Sequence, residues 1–146
     1  MSIDVFSGLY RFLSNFEGPE ITYEGLAYKT LEAAFQAAKT TDPAEKLCIQ
    51  GLPTPGQAKR AGRKVTLRLE WETIKLSVME TLLRQKFAQD PWRGWLSATG
   101  DEELIEGNTW GDTFWGVCEG VGKNHLGQLL MKIRAELKTV QKRGSP

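Results

Sequence analysis

The sequence predicts one α-rich domain, residues 1–146, with a few short strands and a core over about 4–138. Three observations lead there. A length of 146 residues suits a single domain. A hydrophobic share of 40%, with five tryptophans, supplies one sizeable core. Helix-start signals recur along the chain, whereas the extended stretches are short and cut by glycine or proline.

Residues 4–6 read as a first extended segment, broken at Gly8, and residues 21–23 as a second, between Pro19 and Gly25. Tyr28 leads into a helix over about 30–40, with the Thr30 hydroxyl placed to satisfy an orphan amide of its first turn. Asp42-Pro43 opens a second helix ending near Gly51, with Glu45 at the spacing of a capping box. Thr54-Pro55 opens a third, to about Lys64, in which Gly56 and Gly62 make the helix lean on packing. The fourth, about 71–88, places Ile74, Val78, Leu82 and either Lys86 or Phe87 on one face. Asp90-Pro91 starts a short helix through Trp95 and Leu96, and residues 99–101 read as a turn. Residues 103–106 are the best strand candidate of the second half. A long Gly/Trp-rich segment follows over 107–123, with a short strand at 114–117. The final helix, about 124–141, has Asn124 as its cap and Leu126, Leu129, Leu130, Ile133 and Leu137 as its buried stripe. The polar tail QKRGSP (141–146) is expected to fray.

Composition narrows the function. A net charge of +1 gives no global footprint for nucleic acid or a membrane surface. One local patch remains: QAKRAGRK (57–64) carries four cations, readable as a solvated helix face or as a phosphate contact. Cys48 and Cys118 lack metal-type spacing, and His125 is the sole histidine, which argues against zinc and against a Ser-His-Asp triad built without it. The first residues lack a signal-peptide pattern, and no apolar run is long enough to span a bilayer. A reducing, cytoplasmic setting is expected.

Three polar clusters stand out: Ser14 and Asn15 in FLSNF (12–16), Glu32, Gln36 and Lys39 in TLEAAFQAAK (30–39), and Glu106, Asn108 and Asp112 among glycines and tryptophans in 104–116. Glu32, Gln36 and Lys39 follow helical spacing i, i+4, i+7, forming one column about 10 Å long at 1.5 Å rise per residue. Its plain reading is an exposed face; its functional reading is an acid, an amide and an amine reaching one ligand. Glu106 ends an apolar strand candidate and enters a glycine-rich loop, where a catalytic carboxylate or a strand-end residue would equally sit. Trp110 and Trp115 are core anchors or stacking platforms for a base. Asn124 caps the last helix, whose N-terminus can receive a phosphate with Lys123 adding charge. GVGKNHLG (120–127) lacks the spacing of a P-loop.

Together these residues resemble the NADAR family, the riboflavin-biosynthesis-intermediate N-glycosidases. The matching pieces are FLSNF (12–16), Tyr28 with TLEAAFQAAK (30–39), QAKRAGR (57–63), the tryptophan of EWETIK (70–75), KF (86–87), LIEGN (104–108), WG (115–116) and KNHLGQLLMKIR (123–134). They run in the family's order over nearly the whole chain. The resemblance implies an α-rich α+β domain that cleaves N-glycosidic bonds between ribose and a base, without a metal or redox cofactor. Family substrates include ribosylamino-pyrimidine intermediates and ADP-ribose attached to guanine, which can itself sit on nucleic acid. Carried over by motif, the site comprises Ser14, Asn15, Phe16, Glu32, Gln36, Lys39, Trp71, Glu106, Trp115 and Asn124. Two departures bear on substrate preference: Glu32-Ala33 stands where a Glu-His pair is common, so any role of that His is lost, and Val-Cys follows the WG in place of Asp-Gly.

Cleavage of such a bond develops positive charge at the anomeric carbon and negative charge on the base. Glu32 or Glu106, with Glu32 favoured, is expected to serve the sugar. Lys39 is expected to protonate the base, or to form a Schiff base with a ring-opened sugar. Trp71 or Trp115 is expected to stack on the base, and Lys123 with Asn124 to hold phosphate. The competing class is a non-catalytic ADP-ribose or nucleotide reader; a plain nucleic-acid-binding domain using 57–64 is a third.

Overall fold

The computed structural model describes residues 1–144. In chain order its elements are β1 (Ser2–Ile3), a 3-10 helix (Gly8–Leu13), β2 (Ile21–Tyr23), β3 (Leu26–Tyr28), α1 (Leu31–Ala37), α2 (Pro43–Gln50), α3 (Pro55–Gly62), α4 (Trp71–Phe87), α5 (Trp92–Ala98), β4 (Glu103–Leu104), β5 (Gly107–Asn108), β6 (Val117–Cys118) and α6 (His125–Gly144). Helices dominate, and the described strands form three two-stranded pairs. The fold is thus a mixture of helices and short strands, as expected. The chain divides into two units: Asn15–Lys86, and Met1–Ser14 with the chain from Phe87 onward.

In the unit Asn15–Lys86, β2 and β3 form an antiparallel hairpin with Ile21 opposite Tyr28. Its two-residue turn, Glu24 (φ 48) and Gly25 (φ 84), has both residues left-handed, which matches the twist of the strands. β3 is not expected from the sequence, in which Glu-Gly is a weaker hairpin signal than Asn-Gly. The caps of α1 and α3 stand as expected. Thr30 accepts from the Ala33 amide at 3.1 Å. Thr54 and Gln57 complete a reciprocal capping box. Asp42 caps α2, accepting from Ala44. Glu45 does not close a box: its carboxylate accepts from the Thr40 hydroxyl at 2.7 Å and the Thr66 amide at 2.9 Å. It ties α2 to the chain beyond α3.

α1 is the centre of this unit. It touches α2, α3, β2 and β3, and every residue from Leu31 to Ala37 is buried. It ends earlier than expected, because the last turn tightens: the Lys39 amide bonds the Gln36 carbonyl and the Thr40 amide that of Ala37. Along α4, Trp71, Val78, Met79, Leu82, Leu83 and Lys86 are buried; Lys86 and Phe87, alternatives in the sequence reading, are both inaccessible to solvent.

In the other unit, β1 and β4 pair in parallel, Ile3 beside Leu104. The ladder continues with the Ile105 amide on the Ile3 carbonyl. Residues 4–6 lie outside any strand, and the extended pairing falls on Ser2–Ile3 instead, where β4 supplies a partner. β5 pairs with β6, Gly107 beside Val117 and Asn108 beside Cys118, so the second short strand sits three residues later than the expected start at 114. On α6, Leu126, Leu130 and Ile133 are buried, while Leu129 and Leu137 are half-buried. The helix runs to Gly144, past the expected start of fraying, since Gln141, Lys142 and Arg143 are all good helix formers. Ser145 and Pro146, the last of the tail, lie outside the described residues.

Candidate functional site

The expected site residues divide between the units. Asn15, Phe16, Glu32, Gln36, Lys39 and Trp71 belong to one; Ser14, Glu106, Trp115, Lys123 and Asn124 belong to the other.

The first set centres on α1, and its plain reading as an exposed face fails. Glu32 is 7% exposed and Gln36 4%. Helices and the hairpin surround α1, so Glu32 and Gln36 of its polar column are buried. Gln36 Nε2 donates to Glu32 Oε1 at 3.0 Å. Glu32 therefore carries a hydrogen bond that orients its carboxylate. The Glu32 amide, an orphan donor of the first turn, bonds the Asn15 carbonyl at 3.1 Å. Two buried acceptors, Asn15 Oδ1 and Gln36 Oε1, have no hydrogen-bond donor within the described residues. Such atoms cost about 1–3 kcal/mol each when buried unpaired. Asn15 Nδ2 is spent on the Met79 sulfur at 3.6 Å.

α3 lies close on α1 because residue 62 is glycine. A Cβ there would overlap Gln36 Oε1. This packing brings the cations of α3 to Lys39. Lys39 is half-buried just past the end of α1. Burial pushes its ammonium pKa down; the Glu32 charge opposes that, and Arg63, Lys59 and Lys75 add to the lowering. Lys59 Nζ lies 5.9 Å from the centre of the Phe16 ring, which is 39% exposed. Of the 57–64 patch, then, Lys59 and Arg63, one turn apart, are close enough for their charges to act on Lys39. That pairing is readable from their i, i+4 spacing; nothing in the sequence ties Lys75 to Lys39, and Gly62 reads there only as a residue that makes its helix lean on packing. Trp71, expected to stack on a base, is 4% exposed and packs on Phe35 with ring centres 5.2 Å apart. It is core here, and Phe16 is the accessible ring.

The second set is more committed to its own backbone. Asn124 Oδ1 accepts from the Glu106 amide and its Nδ2 donates to the Leu104 carbonyl, both at 2.9 Å. Its side chain does not cap α6; it braces the chain after β4. Nor is the start of α6 an open phosphate cradle. The His125 and Leu126 amides bond the carbonyls of Phe114 and Trp115, and the Lys123 amide that of Thr113. Those donors, which a phosphate would need, are taken. Lys123 itself is exposed. Glu106 is half-buried, its Cγ against Gly116 and its carbonyl accepting from Val117. The Trp115 ring meets Phe114 edge-on at 4.8 Å, and its amide bonds Asp112 Oδ1 at 2.9 Å. Asn108 clamps the same loop, accepting from the Asp112 amide and donating to its carbonyl. Ser14 closes the 3-10 helix through its amide on Arg11.

Among the described residues no three His, Cys, Asp or Glu side chains gather as metal ligands. No described helix is long and apolar enough to cross a membrane.

Known proteins give this arrangement its context. The family model for the NADAR domain matches residues 2–138. The N-glycosidase YbiA of Escherichia coli is 39% identical over 132 residues, which span 88% of this chain and 82% of that protein. An N-glycosidase of Nostoc punctiforme is 35% identical over 90% of this chain and 88% of its own length. A riboflavin biosynthesis protein of Vibrio vulnificus is 37% identical over 86% of this chain but only 35% of itself. The NMR structure of E. coli YbiA superposes with a TM-score of 0.83 and 35% identity, over 100% of this chain and 91% of that one. Fold and relatives define the class: a hydrolase acting on N-glycosyl bonds. The chain belongs to the NADAR family.

Proposed function

We propose that the protein hydrolyses the bond between a ribose and a nucleobase or base-like amine, with Glu32 and Lys39 as its working pair. The observation that carries this reading is a buried carboxylate on α1 and a half-buried amine just past the end of the same helix. The carboxylate is oriented by Gln36, and the amine has its pKa pushed down by burial. A reader of nucleotides has less need of a half-buried amine on the same face as an oriented acid.

The chemistry follows from where charge develops. As the C1′–N bond breaks, positive charge gathers on the ribose, and the Glu32 carboxylate stabilises it. Glu32 then takes a proton from the water that adds to C1′. The departing nitrogen keeps the bond's electron pair and needs a proton. A Lys39 ammonium of lowered pKa gives that proton more readily than an exposed lysine does. The net change is addition of one water across the bond. The lowered pKa equally favours a free amine able to add to a ring-opened sugar carbonyl.

Two substrate classes suit this site. Guanine-linked ADP-ribose would place its phosphates toward Lys59 and Arg63 and a base on the Phe16 ring. A ribosylamino-pyrimidine phosphate carries less negative charge, and the name of the Vibrio vulnificus relative favours it. Mass spectrometry of both substrates after incubation with the protein decides between them. Release of unmodified guanine nucleotide supports the first; release of the free pyrimidine amine supports the second. Two intact substrates would leave the non-catalytic reader.

A further inference from the structure

Lys86 is fully buried on α4, and the chemistry above makes no use of it. A buried lysine is costly unless its amine is hydrogen-bonded. Lys86 Nζ donates to the Glu17 backbone carbonyl at 2.6 Å. Its stem runs along Gly18: a Cβ there would lie 2.7 Å from Lys86 Cε and 3.2 Å from Nζ. Gly18 also has φ +129, a backbone that only glycine adopts without strain. Residues 17 and 18 are thus shaped around this one side chain.

The same short stretch serves the candidate site. The Asn15 carbonyl takes the Glu32 amide, and the Phe16 ring lies under Lys59. We propose that Lys86 is a positioning residue: by holding the Glu17 carbonyl it fixes residues 15–18, and through Asn15 it sets the start of α1 and the place of Glu32. The inference rests on the reading of Glu32 as the catalytic carboxylate. Burial pushes the Lys86 pKa down to about 7, with the Glu17 charge acting the other way. An amine donates to a carbonyl in either protonation state, so the clamp itself does not depend on pH.

The test is Lys86→Met, which keeps the stem and removes the donor, read by NMR hydrogen exchange at the Glu32 amide and by steady-state kinetics. Exchange at Glu32 should rise at least about tenfold, while amides of α6 keep their protection. The kcat should fall about tenfold to a hundredfold with KM changed far less, because misplacing a catalytic group costs turnover. Gly18→Ala disturbs the same clamp from the loop side and should loosen the Glu32 amide likewise; it decides the matter if Lys86→Met fails to fold. Wild-type protection at Glu32 in a folded variant would overturn the proposal. So would a uniform loss of protection across the chain, which marks a purely structural lysine. Should the wild-type protein release no base from any substrate, the reaction reading fails, and the exchange data still decide whether Lys86 holds the loop.

Discussion

Gln36 Nε2 donates to Glu32 Oε1 at 3.0 Å, one helical turn away, and both side chains are buried. Exposed i, i+4 pairs contribute little and sample many geometries. A buried pair holds one geometry, so the Glu32 carboxylate meets its substrate already oriented.

Replacing Gln36 by Leu removes that donor at similar volume. Turnover should fall by about tenfold or more, since orienting contacts matter most in the transition state. Circular dichroism should show the helices retained. Unchanged kcat would mean that Glu32 needs no orientation.

Gly62→Ala puts a methyl group where Gln36 Oε1 lies. Either α3 backs away from α1 or the Glu32–Gln36 pair shifts. Overpacking of this kind costs about 1–3 kcal/mol. Urea denaturation should show the loss, and activity should drop alongside it. Alanine tolerated in both measurements would show that α1 and α3 do not need this close approach.

Lys39→Ala should abolish turnover under either role of the amine. If the Schiff-base route operates, borohydride added to wild type with substrate traps a covalent adduct whose mass maps to Lys39. Because burial lowers its pKa, the free amine appears at a lower pH than for an exposed lysine, so trapping should rise with pH and level off earlier than it does for an exposed lysine. An active Lys39→Ala together with no adduct removes Lys39 from the chemistry.

Lys86 gives stability a pH dependence with a definite sign. Burial holds its folded pKa at about 7, against the ordinary 10.5 of an exposed lysine. Between those two values the unfolded chain binds more protons, so this group makes the fold more stable as pH rises through that window. The slope reaches about 1.4 kcal/mol per pH unit. Comparing urea midpoints at pH 7 and pH 9 should reveal the rise in wild type and its absence in Lys86→Met.

Asn124→Ala leaves the Leu104 carbonyl and the Glu106 amide without their partner. The cost should be about 2 kcal/mol in chemical denaturation, typical of buried groups stripped of a hydrogen bond. Phosphate affinity should not change, because the amides at the start of α6 are already bonded to Phe114 and Trp115.

Local signals in the sequence were legible where the physics is local. Thr30, Asp42 and Thr54 cap the helices they were expected to cap, because a side-chain oxygen satisfies amides two or three residues away. Burial of α1 was not legible. Glu32 and Gln36 at helical spacing look like any exposed face; that helices and a hairpin enclose them is a matter of tertiary packing. The partner of β1 lies about a hundred residues along the chain, beyond any local pattern. Asn124 looked like a cap by type, but its amide found two backbone partners near β4. Lys86 stands in the sequence only as an alternative to Phe87 on the face of Ile74, Val78 and Leu82, and nothing nearby announces the Glu17 carbonyl as its partner. The family resemblance, by contrast, draws attention to Glu32 and Lys39 among ten residues without any sign of their burial.

The most direct test of the central claim sets wild type beside Glu32→Gln, measuring base release from the preferred substrate and, separately, ligand affinity by calorimetry. The variant keeps the shape and size of the side chain but cannot take a proton. Turnover should fall by at least about a hundredfold, the usual scale for loss of a catalytic acid or base, while affinity stays within a few-fold. A Glu32→Gln protein that releases base at the wild-type rate would contradict the account and move the chemistry to another carboxylate.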